Sequence, residues 1–170
     1  MARIKGQAQF CPNTATFAPC STYQANLNRL LSSLSSNANQ SDGFYSTTVR
    51  QNIPSATVYG LFLCPGDVTG PTCQECVSEA IEDILVKRPY TKEAIIWEEK
   101  CWLRYSNQSF FSTMQDNPMV TDWTSCNVSD QGGFMRLSSN RLNVVAKEAA
   151  YGGKKLFATR EAKFGSFKNL

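Results

Sequence analysis

Cys64-Pro65-Gly66-Asp67-Val68-Thr69-Gly70-Pro71-Thr72-Cys73-Gln74-Glu75-Cys76 is the stretch on which the reading of this chain turns. Eight residues separate its first two cysteines and two separate the last pair. Pro71 stands where a helix would begin, since a first-turn residue needs no amide hydrogen. From there Cys73, Cys76, Val77, Ala80, Ile81, Ile84 and Leu85 keep to one side. Glu75, Glu79, Glu82 and Asp83 line the other, so the spacing predicts an amphipathic helix over Thr72 to Lys87 with a solvated acidic face. Two cysteines at i and i+3 on that helix can both turn toward a sheet, one reaching the preceding strand end and one a later strand. The rival readings of Cys-x-x-Cys are a zinc half-site and a redox pair. Zinc needs two further ligands, and only Cys11, Cys20, Cys101 or Cys126 could supply them, none paired at short range. A redox cysteine wants a low pKa, which an acidic helix opposes, and Cys64 offers Cys73 a bridge partner.

Working outward, Thr57 to Cys64 reads as a strand entered through Pro54. Before it, Tyr23, Leu27, Leu30, Leu31 and Leu34 recur at the spacing of one helical face within Ser21 to Ser36, with Ser21 or Thr22 as N-cap. The polar run Asn37 to Gly43 ends that helix, and Phe44 to Val49 is a short aromatic and Thr-rich strand. After the cysteine-bearing helix, Glu93 to Tyr105 is aromatic and β-branched with one charged interruption, and together with Ser109 to Ser112 it reads as a hairpin. Helix, strands, helix, strands is the order of an α+β domain in which two helices cover one face of an antiparallel sheet.

With 170 residues the chain holds one ordinary domain, or a small domain and a fragment of another. It contains no His, which removes the commonest general base and metal ligand, and no catalytic residues, cofactor or metal are expected. Glu98 and Glu99 are no catalytic pair, because strand neighbours point to opposite faces; they read as edge or surface charges. Trp97 and Trp102 read as core aromatics, and Trp123, among polar residues, is open. Seven Cys within the first 135 residues point to an oxidising compartment. Three Asn-x-Ser sequons, at Asn39, Asn107 and Asn127, are candidate glycosylation sites. No apolar run approaches the length of a membrane span, and none of signal-peptide length follows the N-terminal charges Arg3 and Lys5. These features describe a secreted, extracellular module whose leader is absent from the sequence.

Residues 136–170 carry eight Lys or Arg against Glu148 and Glu161, whereas residues 1–135 carry nine bases against twelve acids. The bases are interleaved with Leu142, Val145, Phe157 and Phe164, as in folding sequence, so no nucleic-acid partner is expected. Tyr23 to Thr47 and Phe134 to Thr159 share a helical stretch, a Gly-containing break and an aromatic-bearing segment, a weak repeat that stops early in its second copy.

The cysteine constellation, with Ala56-Thr57-Val58-Tyr59-Gly60-Leu61-Phe62-Leu63 before it, resembles the ginkbilobin-homologous or stress-antifungal domain. That domain occurs in plant secreted proteins and cysteine-rich receptor-like kinases. Phe10-Cys11-Pro12-Asn13, Ser21 to Leu27, Gly43-Phe44-Tyr45, Ala94 to Trp97, Cys101 to Asn107 and Asn127 to Asp130 follow the family's order. The resemblance implies a disulfide-stapled α+β fold, two helices on one face of a five-stranded antiparallel sheet. It places that domain at residues 8–130, with a linker and the truncated start of a second copy at 131–170. It also implies bridges Cys64 to Cys73 and Cys76 to Cys101. The usual third bridge would join Cys11 to the position held by Arg88, which leaves Cys11 to pair with Cys20 or stay free, and Cys126 without an assigned partner.

Founding members of the family bind mannose through an Asn, an Arg and a Glu. Here the matching positions are Pro12 with Asn13 beside it, Ile95 and Ser106, so only Asn13 approximates a ligand-binding role. The function implied is a non-enzymatic extracellular recognition module in stress or defence, its partner an extracellular glycan or a receptor ectodomain. The alternative is a mannose-binding antifungal effector acting alone. The chain has no Gly-rich kinase loop, His-Arg-Asp or Asp-Phe-Gly sequence.

Overall fold

A computed structural model of the chain describes residues 8–10, 15–40, 42–51, 53–115, 128–152 and 158–164. It divides into two units, Met1–Val120 and Thr121–Leu170.

The first unit is an antiparallel sheet covered on one face by two helices. Helix α1, Thr22–Asn37, opens on Ser21, whose hydroxyl accepts from the Gln24 N–H at 3.3 Å. It buries Tyr23, Leu27, Leu30, Leu31 and Leu34, the stripe that the spacing predicts. Gly43 then takes φ 62°, and its carbonyl accepts from the Cys64 N–H at 2.6 Å, so the chain re-enters as strand β2, Phe44–Val49, already paired to β3, Val58–Leu63. Helix α2, Gly70–Lys87, starts two residues before the expected Thr72, with Pro71 in its first turn. Strands β4, Ala94–Trp97, and β5, Trp102–Ser106, complete the body.

These four strands lie in the order β4-β5-β3-β2, and Ala8–Phe10, as β1, adds along the free edge of β4. The expected five-stranded sheet is thus corrected to four strands and a three-residue edge segment, too short to carry a pleated face of its own. The hairpin is corrected as well. It lies wholly within Glu93 to Tyr105, because the charged interruption is itself the turn, the Glu98 N–H donating to the Cys101 carbonyl at 2.9 Å. Ser109 to Ser112 is not a strand but part of the loop that follows β5.

Alternation along each strand divides the sheet into two faces. Val58, Phe62, Ala94, Ile96, Leu103 and Tyr105 are buried with α1 and α2 in one core. There Gly60 gives α1 its close approach, since a Cβ would strike the Leu30 side chain. Burial, with neighbouring Tyr105 and Glu93 adding to it, pushes the Tyr23 phenol well above its ordinary pKa; it stays neutral and donates to the Lys92 carbonyl at 2.7 Å. Phe44, Ser46, Leu61, Leu63, Ile95, Trp97, Trp102 and Arg104 have the opposite parity and form the face that neither helix covers.

The second unit contains α3, Gln131–Tyr151. Asp130 caps it, its carboxylate accepting from the Gly133 N–H at 2.8 Å, and none of its residues is buried. The Phe134 ring meets Phe164 at 5.5 Å, and Arg160 reaches Glu148 at 2.6 Å.

Candidate functional site

The structure joins Cys64 to Cys73 and Cys76 to Cys101. Cys73 and Cys76 therefore sit in different bridges and form neither a dithiol pair nor a zinc half-site. One bridge ties the end of β3 to the start of α2, and the other ties α2 to the residue before β5. Cys20 is a free thiol, exposed in a turn at φ 59°, its N–H donating to the Gln24 side-chain carbonyl at 2.6 Å. Cys11, Asn13, Trp123, Cys126 and Asn127 lie outside the described residues. Among the sequon residues that are described, Asn39 is exposed in the turn after α1 and Asn107 is half-buried directly after β5. Arg88 ends α2 and is exposed; Glu98 and Glu99 lie in the β4–β5 turn rather than along a strand.

The site with chemistry in it is on the face of the sheet opposite α1 and α2. Register places two rows of side chains there: Phe44, Leu63, Trp102 and Trp97 in one, and Ser46, Leu61, Arg104 and Ile95 in the next. The loop after β5 lies over part of the second row. Phe110 stacks on the Arg104 guanidinium at 4.2 Å, Phe111 packs edge-on to Phe110 at 5.0 Å and to Tyr59 at 5.9 Å, and Ser112 turns the loop at φ 57°. Between loop and sheet is a cleft of about 500 Å³, a volume within the ordinary range for small-ligand sites.

Arg104 governs its electrostatics. It is only 8% exposed, and its two terminal nitrogens donate to the Glu93 carboxylate at 2.9 Å and to the Gln115 carbonyl at 2.6 Å. Its Nε–H has no partner among the described residues, and neither has the indole Nε1–H of Trp102, although both atoms are shielded from water. Orphaned buried donors are uncommon in folded proteins because each forfeits its hydration. Two of them, on side chains lining one cleft, mark a place that an acceptor-bearing ligand would complete.

The family's mannose positions do not assemble a sugar site among the described residues. Ile95 contributes an apolar, buried wall, and the Ser106 hydroxyl accepts from the Gln108 N–H at 3.1 Å. Trp97 and Trp102 are half-buried on the cleft face rather than within the helix-covered core. Arg104 is the functional candidate that sequence reasoning missed. Its signal was a charged residue at an alternating position of an otherwise aromatic and apolar strand.

A family model described as salt stress response/antifungal matches residues 10–108. The chain belongs to that family. It is 38% identical over 150 residues to cysteine-rich repeat secretory protein 1 of Arabidopsis thaliana, covering 88% of this chain and 43% of that protein. To cysteine-rich receptor-like protein kinase 25 of the same plant it is 38% identical over 163 residues, covering 94% of this chain and 24% of the relative. The chain thus spans well under two thirds of the length of these family members. The tandem DUF26 ectodomain of the Arabidopsis thaliana cysteine-rich receptor-like protein PDLP5 superposes with a TM-score of 0.72 at 26% identity, over 82% of this chain and 67% of that one. The corresponding PDLP8 ectodomain gives 0.75 at 22% identity, over 82% and 66%, and shows the same fold. The likeness to a receptor-like kinase and to the ectodomain of a receptor-like protein supports an extracellular, receptor-like domain.

Proposed function

We propose that this chain is a non-enzymatic extracellular recognition module of the cysteine-rich receptor-like kinase ectodomain type, acting in stress or defence, and that the face of its sheet opposite α1 and α2 is the recognition surface. The observation that carries this is the cleft lined by Trp102 and Arg104, each with a shielded donor left unpaired. The helices and both bridges lie on or behind the other face, so this face can vary its chemistry without disturbing the core. Two bridges and an exposed sequon at Asn39 suit an oxidising, secretory compartment. No helix among the described residues is long and apolar enough to cross a membrane. On this reading residues 131–170 open a second copy of the domain, in keeping with a likeness that runs over most of the chain but about two thirds of a tandem ectodomain. Kinase activity, where relatives are named for it, belongs to sequence this chain does not align with. Mannose binding is weak or absent, because Ile95 and Ser106 supply no charged fork or carboxylate.

Mass spectrometry of the protein isolated from its native tissue under non-reducing conditions tests the compartment: both bridges and glycans at Asn39 and Asn107 are expected, and four free thiols would overturn the reading. A glycan array carrying mannosides tests the alternative of a lectin-like effector. Tight mannose binding that survives Trp102→Phe and Arg104→Lys would remove the cleft from the function.

A further inference from the structure

We propose that the cleft binds a small aromatic or otherwise apolar carboxylate, its carboxylate accepting from the Arg104 Nε–H and the Trp102 Nε1–H and its apolar body lying among Trp97, Trp102 and Phe111. This rests on the reading of the cleft as the recognition site and narrows it to one ligand chemistry.

The wall dictates the choice. Trp102 and Arg104 are two residues apart on β5, so their side chains leave the same face about 7 Å apart at the backbone. Their two orphaned N–H groups need acceptors and offer none. The strong acceptors nearest the guanidinium, the Glu93 carboxylate and the Gln115 carbonyl, already receive the terminal nitrogens of Arg104. A neutral polyol brings as many donors as acceptors and would leave its hydroxyl hydrogens competing for the few hydroxyl groups of Ser46, Ser112 and Thr113. A carboxylate is acceptor-only and forms charge-assisted bonds, the stronger kind, with a guanidinium N–H. The rest of the lining is aromatic or aliphatic, and the half-exposed Phe44 at its mouth extends it, so a bare inorganic anion would leave most of the cleft unused. Arg104 is held by Phe110 on its face and by two hydrogen bonds at its tip, so its orientation is set before a ligand arrives.

The test uses the oxidised full chain labelled with nitrogen-15, and follows the indole Nε1–H resonance of Trp102, assigned through Trp102→Phe. Three probes share the comparison: phenylacetate, its neutral counterpart phenylacetamide, and methyl α-mannoside. Phenylacetate is expected to move the Trp102 resonance saturably, and phenylacetamide to bind about tenfold more weakly or worse, the loss of one charge-assisted contact. With affinity read by titration calorimetry, which needs no Trp102 signal, Trp102→Phe, which keeps an aromatic ring and removes the donor, and Arg104→Lys, which keeps the charge and removes the Nε–H, should each weaken phenylacetate about tenfold. Retained melting temperature in Trp102→Phe separates this from misfolding. Equal binding of acid and amide, or movement of the resonance by the mannoside alone, would overturn the carboxylate while leaving the cleft as the recognition site. Phenylacetate binding that neither substitution weakens would place it elsewhere and overturn the proposal. Failure of all three probes to move Trp102 at 10 mM, on the order of the weakest useful affinity, would overturn both.

Discussion

Helices α1 and α3 are both amphipathic, both capped by a polar side chain, and differ in what surrounds them. α1, with 16 residues, buries Tyr23, Leu27, Leu30, Leu31 and Leu34, while α3, with 21, buries none. Local sequence therefore suffices to write a helix in both places, but among the described residues only the first is fastened by buried side chains, and packing is where most helical stability in proteins comes from. Among the described residues, what fastens α3 within its own unit is slight by comparison: a capping carboxylate, one ring contact and one exposed ion pair. The two units should respond differently to the same insult.

The largest difference should come from the bridges. By chain-entropy reasoning each contributes on the order of 3 kcal/mol, and both lie in the first unit. Cys76→Ala with Cys101→Ala should lower the melting temperature of that unit by about 15 °C, while far-ultraviolet signal from α3 in the isolated second unit, with or without reductant, stays constant. Before reduction, trypsin should cut first after Arg160 and Lys163, both of them exposed; after reduction, cuts should spread through the first unit. Equal resistance of the two units would erase the contrast and show that residues 131–170 share a single larger fold with the rest.

The next contrast is burial. Leu30 is 0% exposed and Leu142 is 67% exposed. Leu30→Ala should cost about 2 to 5 kcal/mol, since it removes transfer energy and leaves a cavity under Gly60. Leu142→Ala, in a position that touches little, should change stability by less than about 0.5 kcal/mol. Chemical denaturation of the two variants reads both values. A large loss from Leu142→Ala would mean that α3 has a partner surface in solution.

Much of the first unit could be read because its signals are local. The Tyr23 to Leu34 stripe, the Ser21 cap, Phe44 to Val49 and the Pro71 start each depend on a few neighbouring residues, and each falls where the structure has it within two positions. The hairpin was misread because Glu98-Glu99-Lys100 resembles an interruption in a strand as much as a turn, and only pairing across it tells the two apart. The cleft could not be read at all. It depends on the loop after β5 folding back to lay Phe110 on Arg104, a contact between residues six apart whose path no periodicity encodes. Trp97 and Trp102 were assigned to the core for the same reason, since alternation says that they share a face but not which face the helices take.

Caps offer a smaller contrast. Asp130→Ala removes the acceptor for the Gly133 N–H and should cost about 1 kcal/mol of local helix stability. With no burial behind it, α3 should visibly fray, its first-turn amides losing protection from hydrogen exchange. Ser21→Ala in α1 removes a similar bond, but the buried Tyr23 and Leu27 hold that first turn, so protection there should change far less. Equal fraying at both ends would show that packing does not reinforce the α1 cap.

The smallest expected effect belongs to Glu148 and Arg160. The two hydrogen bonds from the guanidinium, at 2.9 and 2.6 Å, hold the Glu148 carboxyl below its usual range, with the guanidinium's charge acting in the same direction. A carboxylate whose folded pKa is lowered contributes above its unfolded pKa and loses that contribution as pH falls through the folded one. The contact should therefore be unaffected between pH 5 and 8, roughly a unit or more above the ordinary Glu value, and should loosen only in acid. The pair is exposed, so salt screens it and its net contribution is small. The side-chain Nε–H resonance of Arg160 reports it directly: the signal should drift toward its free value as pH falls below the ordinary Glu range, and also as salt is raised at neutral pH. Glu148→Gln should give the drifted position at every pH and leave the Phe134–Phe164 ring contact in place. If the ring contact were lost with the ion pair, the second unit would be held by a charge rather than by its aromatic pair, and the contrast with the first unit would be sharper still.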